Sequence, residues 1–151
     1  MKRYLFSDRD KTWQEINDPL EMTAVLKGKL VVFLEPNGDI IVLVGNDYDR
    51  HSALIADYLK QVHGVEVQRY FRDCSEEIEM REKLEMLGLT SMGGMDIDSL
   101  PARYSQDNIA TTRITGRSSL LGPVKLEVLE QIVPHIFKDP ELALSWERMK
   151  V

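Results

Sequence analysis

The chain has 151 residues, 43% apolar and 29% charged, which is the composition of one ordinary globular domain. Acids outnumber bases 25 to 19, and the net charge of -6 excludes a bulk electrostatic grip on nucleic acid or a polybasic membrane anchor. The longest apolar runs, Leu30–Leu34 and Ile40–Val44, are too short to span a bilayer, and the single cysteine, Cys74, excludes an internal disulfide framework and a Cys-rich zinc site.

Residues 1–26 read as an N-terminal extension or short helix. Asp8-Arg9-Asp10-Lys11 has turn character, and Trp13, Ile16 and Leu20 share a helical face that Pro19 interrupts. Met1-Lys2-Arg3-Tyr4 lacks the apolar core of a signal peptide, so a cytoplasmic setting is expected. Lys29–Leu34 and Ile40–Val44 are β-rich runs joined by Pro36-Asn37-Gly38-Asp39, which predicts a hairpin buried on both faces. Its edge is a candidate pairing site for a homodimer. Leu54, Ile55, Tyr58, Leu59 and Val62 recur at helical spacing, with Asp47 or Asp49 as cap and Gly64 as stop.

Val65–Phe71 alternates as a strand does. Ser75 is placed to cap a second, acid-rich helix that Gly88 closes. Residues 89–108, with Gly93-Gly94, Pro101 and three aspartates, read as loop. Ile109–Thr115 has a strand pattern, Gly116–Pro123 is a turn, and Pro123 opens a helix with Val124, Val128, Leu129 and Ile132 as its apolar stripe. Leu142, Leu144 and Trp146 suggest a last strand. Hairpins mixed with single crossover helices predict an α+β fold: a mixed sheet with two to three helices packed on it.

Of the three histidines, His63 and His135 lie near helix ends, where a cation suits the dipole. His51 falls at a helix start, where the dipole favours a neutral ring able to take a proton or attack phosphorus. The segment Gly116–Pro123 lies between a strand and a helix and presents backbone amides and hydroxyls that suit an anion, with Arg113 and Arg117 adding positive charge. It lacks the Gly-Lys-Ser/Thr ending of a P-loop. No His-x-x-x-His or Cys pair stands out as a metal site. Glu76 and Glu77 disfavour a reactive Cys74 thiolate.

Three short matches, in order, resemble the Janus family, the family of the small protein-histidine (phosphohistidine) phosphatase. They are Lys29 opening the strand Leu30-Val31-Val32-Phe33; the strand Ile41–Val44 running into Gly45 and, six residues on, His51; and Gly116-Arg117-Ser118-Ser119-Leu120-Leu121-Gly122-Pro123 after a strand. Trp146 matches a tryptophan that closes the family's last strand. The resemblance covers roughly residues 27–147 and implies a Janus-like domain over 27–151 with an insertion at about 72–90. It implies that His51 is catalytic and that Lys29, Ser52, Ser118 and the Leu120 backbone amide hold phosphate. No metal or cofactor is implied. Three features depart from the family: Arg50 replaces an aromatic before the histidine, Arg117 precedes the serine, and Asp96 in Gly93-Gly94-Met95-Asp96-Ile97 stands where an arginine would be.

The function implied is a metal-independent, histidine-based phosphatase acting on phosphohistidine or a related phosphoramidate. Its partner would be a phosphorylated protein or small phosphorylated molecule, not nucleic acid or membrane. The alternative is a non-catalytic module of the same fold that recognises a protein partner or a small phosphorylated ligand. A nucleotide-binding α/β protein is a third reading, weakened by the missing Gly-rich fingerprint after the first strand. Convergence of Lys29, His51 and Ser118 in one cleft is the geometric requirement of the enzyme reading.

Overall fold

A computed structural model describes residues 1–21, 25–104, 106 and 111–138. It is an α+β fold, with strands β1 (Lys2–Ser7), β2 (Thr12–Glu15), β3 (Leu26–Leu34), β4 (Ile40–Asn46), β5 (Thr90–Leu100) and β6 (Thr111–Thr115), and helices α1 (His51–His63), α2 (Cys74–Met86) and α3 (Leu126–Ile136). The strands form one mixed sheet in the order β2-β1-β4-β3-β5-β6. β1 runs parallel to β4, and the other pairs are antiparallel.

The hairpin β3–β4 is the centre of the sheet. Leu30–Phe33 and Ile41–Val44 are buried on both faces, because helices cover the sheet on both sides. Leu30, Val32, Val42, Val44 and Ile97 pack with Leu129, Ile132, Val133 and Ile136 of α3. Val31, Phe33, Ile41 and Leu43 pack with Leu54, Ile55, Tyr58 and Leu59 of α1 and Met80 and Leu84 of α2. Continuous apolar runs are what a strand needs when neither face meets water. β1 and β5 flank this hairpin, so it offers no free edge for a dimer; among the described residues the outer strands are β2 and β6.

Several local expectations are corrected. Residues 1–16 build two strands of the sheet rather than an appendage: Trp13 lies in β2 and stacks on Phe6, and no helix forms there. Tyr4 and Phe6 bury against the α1 side of the sheet, which draws the segment into the ladder. Residues 89–108 contain the longest of the described strands, β5; Ile97 and Ser99 face the α3 layer while Asp96 and Asp98 face the other side. The two glycines hid this alternation. Val65–Phe71 is partly buried at alternate residues, yet it joins no ladder. Val65, Val67 and Phe71 pack on the core around α1, so burial on one side produced a strand-like pattern without a sheet.

Helix caps differ as well. Arg50 is the N-cap residue of α1 and no side chain caps that helix; Asp47 takes a left-handed turn conformation and Asp49 accepts from the Tyr70 hydroxyl instead. Asp73 rather than Ser75 caps α2, accepting from the Ser75 amide. Pro123 does not open α3. Val124 is buried and the Pro123 carbonyl lies 2.4 Å from where a Cβ on Gly93 would stand, so the chain stays extended to Lys125. Pro134 sits inside α3, which ends two residues later. The strand expected at Leu142–Trp146 lies outside the described residues. No described helix is long and apolar enough to cross a membrane.

Candidate functional site

The turn from β4 into α1 delivers His51 as the first residue of its helix. His51 Nε2 lies 3.0 Å from the Met95 carbonyl oxygen, which can only accept, so Nε2 carries the proton and Nδ1 keeps its lone pair. Burial pushes the imidazole below its ordinary pKa and the Lys29 charge adds to this, against the opposing pull of the Met95 carbonyl and Asp96. The ring is therefore a neutral imidazole of fixed tautomer at neutral pH. The uncapped start of α1 leaves first-turn amides available to an anion.

Strand pairing supplies the next component. Lys29 of β3 sits opposite Asp96 of β5, and Nζ donates to Oδ1 at 2.5 Å. Both side chains lie on the α1 side of the sheet, with that of Lys29 largely shielded. The lysine is thus held by the carboxylate.

The turn 116–123 hangs on Gly94 of β5. Ser118 N–H donates to the Gly94 carbonyl at 2.8 Å, and Gly94 N–H donates to the Gly122 carbonyl at 2.9 Å. The turn thereby takes the edge of β5 that β6 leaves uncovered beyond Asp96. A side chain at position 94 would press on it: a Cβ there lies 2.9 Å from His51 Cδ2 and 3.1 Å from Ser118 Cβ. Glycine is what lets histidine and turn meet over one strand.

Ser118 and Ser52 serve the architecture with their hydroxyls. Ser118 is buried, and its Oγ accepts from the Leu120 and Leu121 amides, each at 3.1 Å. The Leu120 amide expected to hold phosphate is therefore already bonded. Ser52 Oγ donates to the Arg69 carbonyl at 2.6 Å and ties the segment before α2 to α1. α2, the expected insertion, reaches the turn through Arg81, which donates to the Leu120 carbonyl at 2.9 Å.

Lys29, His51, Ser52, Arg117, Ser118 and Leu120 all line one open cleft of about 480 Å³. Of the catalytic and phosphate-binding residues expected from the sequence, Arg113 does not. It is exposed on β6 opposite Asp98, one pleat repeat beyond the Lys29–Asp96 rung. Asp49, Arg50, Tyr70, Phe71, Asp96 and Ser119 complete the lining. Arg50 and Arg117 form no ion pair among the described residues. The cleft thus offers two uncommitted guanidinium groups, a lysine shared with a carboxylate, a helix N-terminus and an unprotonated ring nitrogen.

Sequence reasoning missed the parts that depend on pairing. Asp96, noted in the sequence as a departure from the family pattern, becomes a partner of Lys29 through the pairing of β5 with β3. Its signal was the alternation Met95-Asp96-Ile97-Asp98, apolar and acidic in turn, which a half-buried strand produces. Tyr70 and Phe71 carried no chemical signal of their own. Among the described residues, no group of three or more His, Cys, Asp and Glu side chains could hold a metal ion. Comparison of the chain with protein-family models, with curated proteins and with solved structures finds no match in any of the three.

Proposed function

We propose that the cleft binds a phosphoryl group and that the chain is a histidine-based phosphatase acting on phosphohistidine or a related phosphoramidate, on a protein or a small molecule. The observation that supports this best is the neutral His51, whose Nδ1 has no partner among the described residues, in one cleft with Lys29, Arg117 and the Ser118 turn. Nδ1 is the nucleophile. Its lone pair forms a bond to phosphorus while the P–N bond of the substrate breaks, the pair of that bond leaving with the nitrogen. Lys29, Arg117 and the first amides of α1 spread the charge of the phosphoryl oxygens. Water then displaces His51 from phosphorus, releases inorganic phosphate, and passes its surplus proton to solvent. Phosphoryl transfer depends chiefly on positioning and charge stabilisation, so this route assigns no role to a metal.

Ser52 and Ser118 enter as positioning residues, since their hydroxyls hold the helix start and the turn in place. The test is His51→Ala assayed with a phosphohistidine substrate. Turnover is expected to fall by at least about 100-fold with an unchanged fold by circular dichroism. An unchanged rate overturns the assignment.

A further inference from the structure

Asp96 is unexpected in a cleft that would bind phosphate, because a carboxylate repels a phosphoryl dianion. It is nonetheless built into the site. Strand register places it directly opposite Lys29, and Oδ1 lies 2.5 Å from Nζ. Its other oxygen, Oδ2, lies 3.0 Å from where a Cβ on Gly116 would stand, so the carboxylate abuts the start of the anion-facing turn. The Asp96 side chain is 49% exposed against 18% for Lys29, so it faces the cleft beside the lysine rather than being covered by it.

An oxygen that accepts a second hydrogen from the tetrahedral Lys29 ammonium therefore sits roughly 4 Å from Asp96 Oδ1. A phosphate ester brings only negative charge to that point. A protonated phosphoramidate is different: it carries a positive charge on the nitrogen bonded to phosphorus or, in phosphohistidine, on the imidazolium ring to which that nitrogen belongs. Lys29 and Asp96 complement the two ends of that zwitterion, the ammonium facing the phosphoryl oxygens and the carboxylate facing the N–H. The protonated form is also the one whose nitrogen departs as a neutral amine.

We propose that Asp96 determines the substrate class of this cleft, selecting N-protonated phosphoramidates over phosphate esters. The inference rests on the phosphatase reading. In the step, His51 Nδ1 bonds to phosphorus, the P–N bond breaks, and its electron pair stays on the nitrogen, which leaves as the neutral amine. Asp96 remains a carboxylate throughout and receives no proton. Its part is to raise the fraction of bound substrate that carries the proton on nitrogen.

The test compares the full chain with Asp96→Asn on two probes, phosphoramidate and p-nitrophenyl phosphate, alongside binding of inorganic phosphate by calorimetry. The wild type is expected to favour phosphoramidate, and Asp96→Asn to lose about tenfold in kcat/KM on it, the scale of one lost charge contact. The same variant is expected to bind inorganic phosphate more tightly and to gain on the ester, since Lys29 is released. Asp96→Glu, which keeps the charge, restores the preference and guards against a folding defect in the amide variant. Equal changes on both probes overturn the role of Asp96 while leaving the phosphatase reading standing. Absence of turnover of either probe by the wild type, with no phosphate bound, overturns both.

Discussion

Two polar clusters lie on the α1 side of the sheet, and they differ in whether their charges are already satisfied. Around Arg69 the network is closed. Its guanidinium bonds Asp57 and Asp8, the Tyr48 hydroxyl donates to Asp57 at 2.6 Å, and Lys11 pairs with Asp8. The ring of Tyr48 lies 6.0 Å from the same guanidinium. Around His51 the network is open: one ring nitrogen is free, α1 is uncapped, and Arg50 and Arg117 have no ionic partner among the described residues. Size would have pointed the other way, because the hollow beside Arg69 is about 580 Å³ against about 480 Å³ for the cleft. In that larger hollow Lys60, Arg69 and Arg72 each face an acidic partner. Unspent hydrogen-bonding and charge capacity, rather than volume, is what makes the His51 cleft the candidate site.

The contrast can be broken from either side. Arg69→Ala should have the largest effect on stability, about 2 kcal/mol in urea unfolding, because it leaves the partly buried carboxylates Asp8 and Asp57 without their shared cation. A loss below about 0.5 kcal/mol would show the closed cluster to be surface decoration. A smaller effect is expected from pH. The native His51 has a pKa below its ordinary 6.5, so between that lowered value and 6.5 the unfolded chain binds a proton that the native one does not. Stability should therefore fall as pH drops below 6.5, and the acid limb of kcat/KM should lie below 6.5 as well. His63, also lowered by burial, contributes to stability in the same direction. The smallest effect belongs to Arg113→Ala: within about 0.5 kcal/mol in stability, with no change in phosphate binding, as its exposed place outside the cleft requires.

Legibility from the sequence followed how local each signal was. The hairpin, α1 with its Gly64 stop, and the Gly116–Pro123 turn depend on residues close in the chain, and the structure places them as read. β5 failed because Gly93-Gly94 is turn chemistry by local rules, whereas here the glycines make room for Pro123 on one face and for His51 and Ser118 on the other. Residues 65–71 failed in the opposite sense: alternate burial was read correctly, but burial alone does not say whether a neighbouring strand is present. At the site, residue types were legible and their commitments were not. Nothing in Ser118 or Ser52 announces that its hydroxyl is spent on backbone, and nothing in Lys29 announces Asp96, which is 67 residues away.

The attachment of the turn to Gly94 has a mechanical consequence. Both hydrogen bonds, Ser118 N–H to Gly94 and Gly94 N–H to Gly122, land on one residue of the sheet, and His51 rests against that same residue. A turn held by two hydrogen bonds to one residue of the strand moves with that residue, and so does the ring packed against it. Any distortion of β5, from its bulge opposite Val32 and Phe33 onward, would therefore displace His51 and turn together. Their spacing is a property of the strand, and the cleft has freedom to adjust only along its other walls.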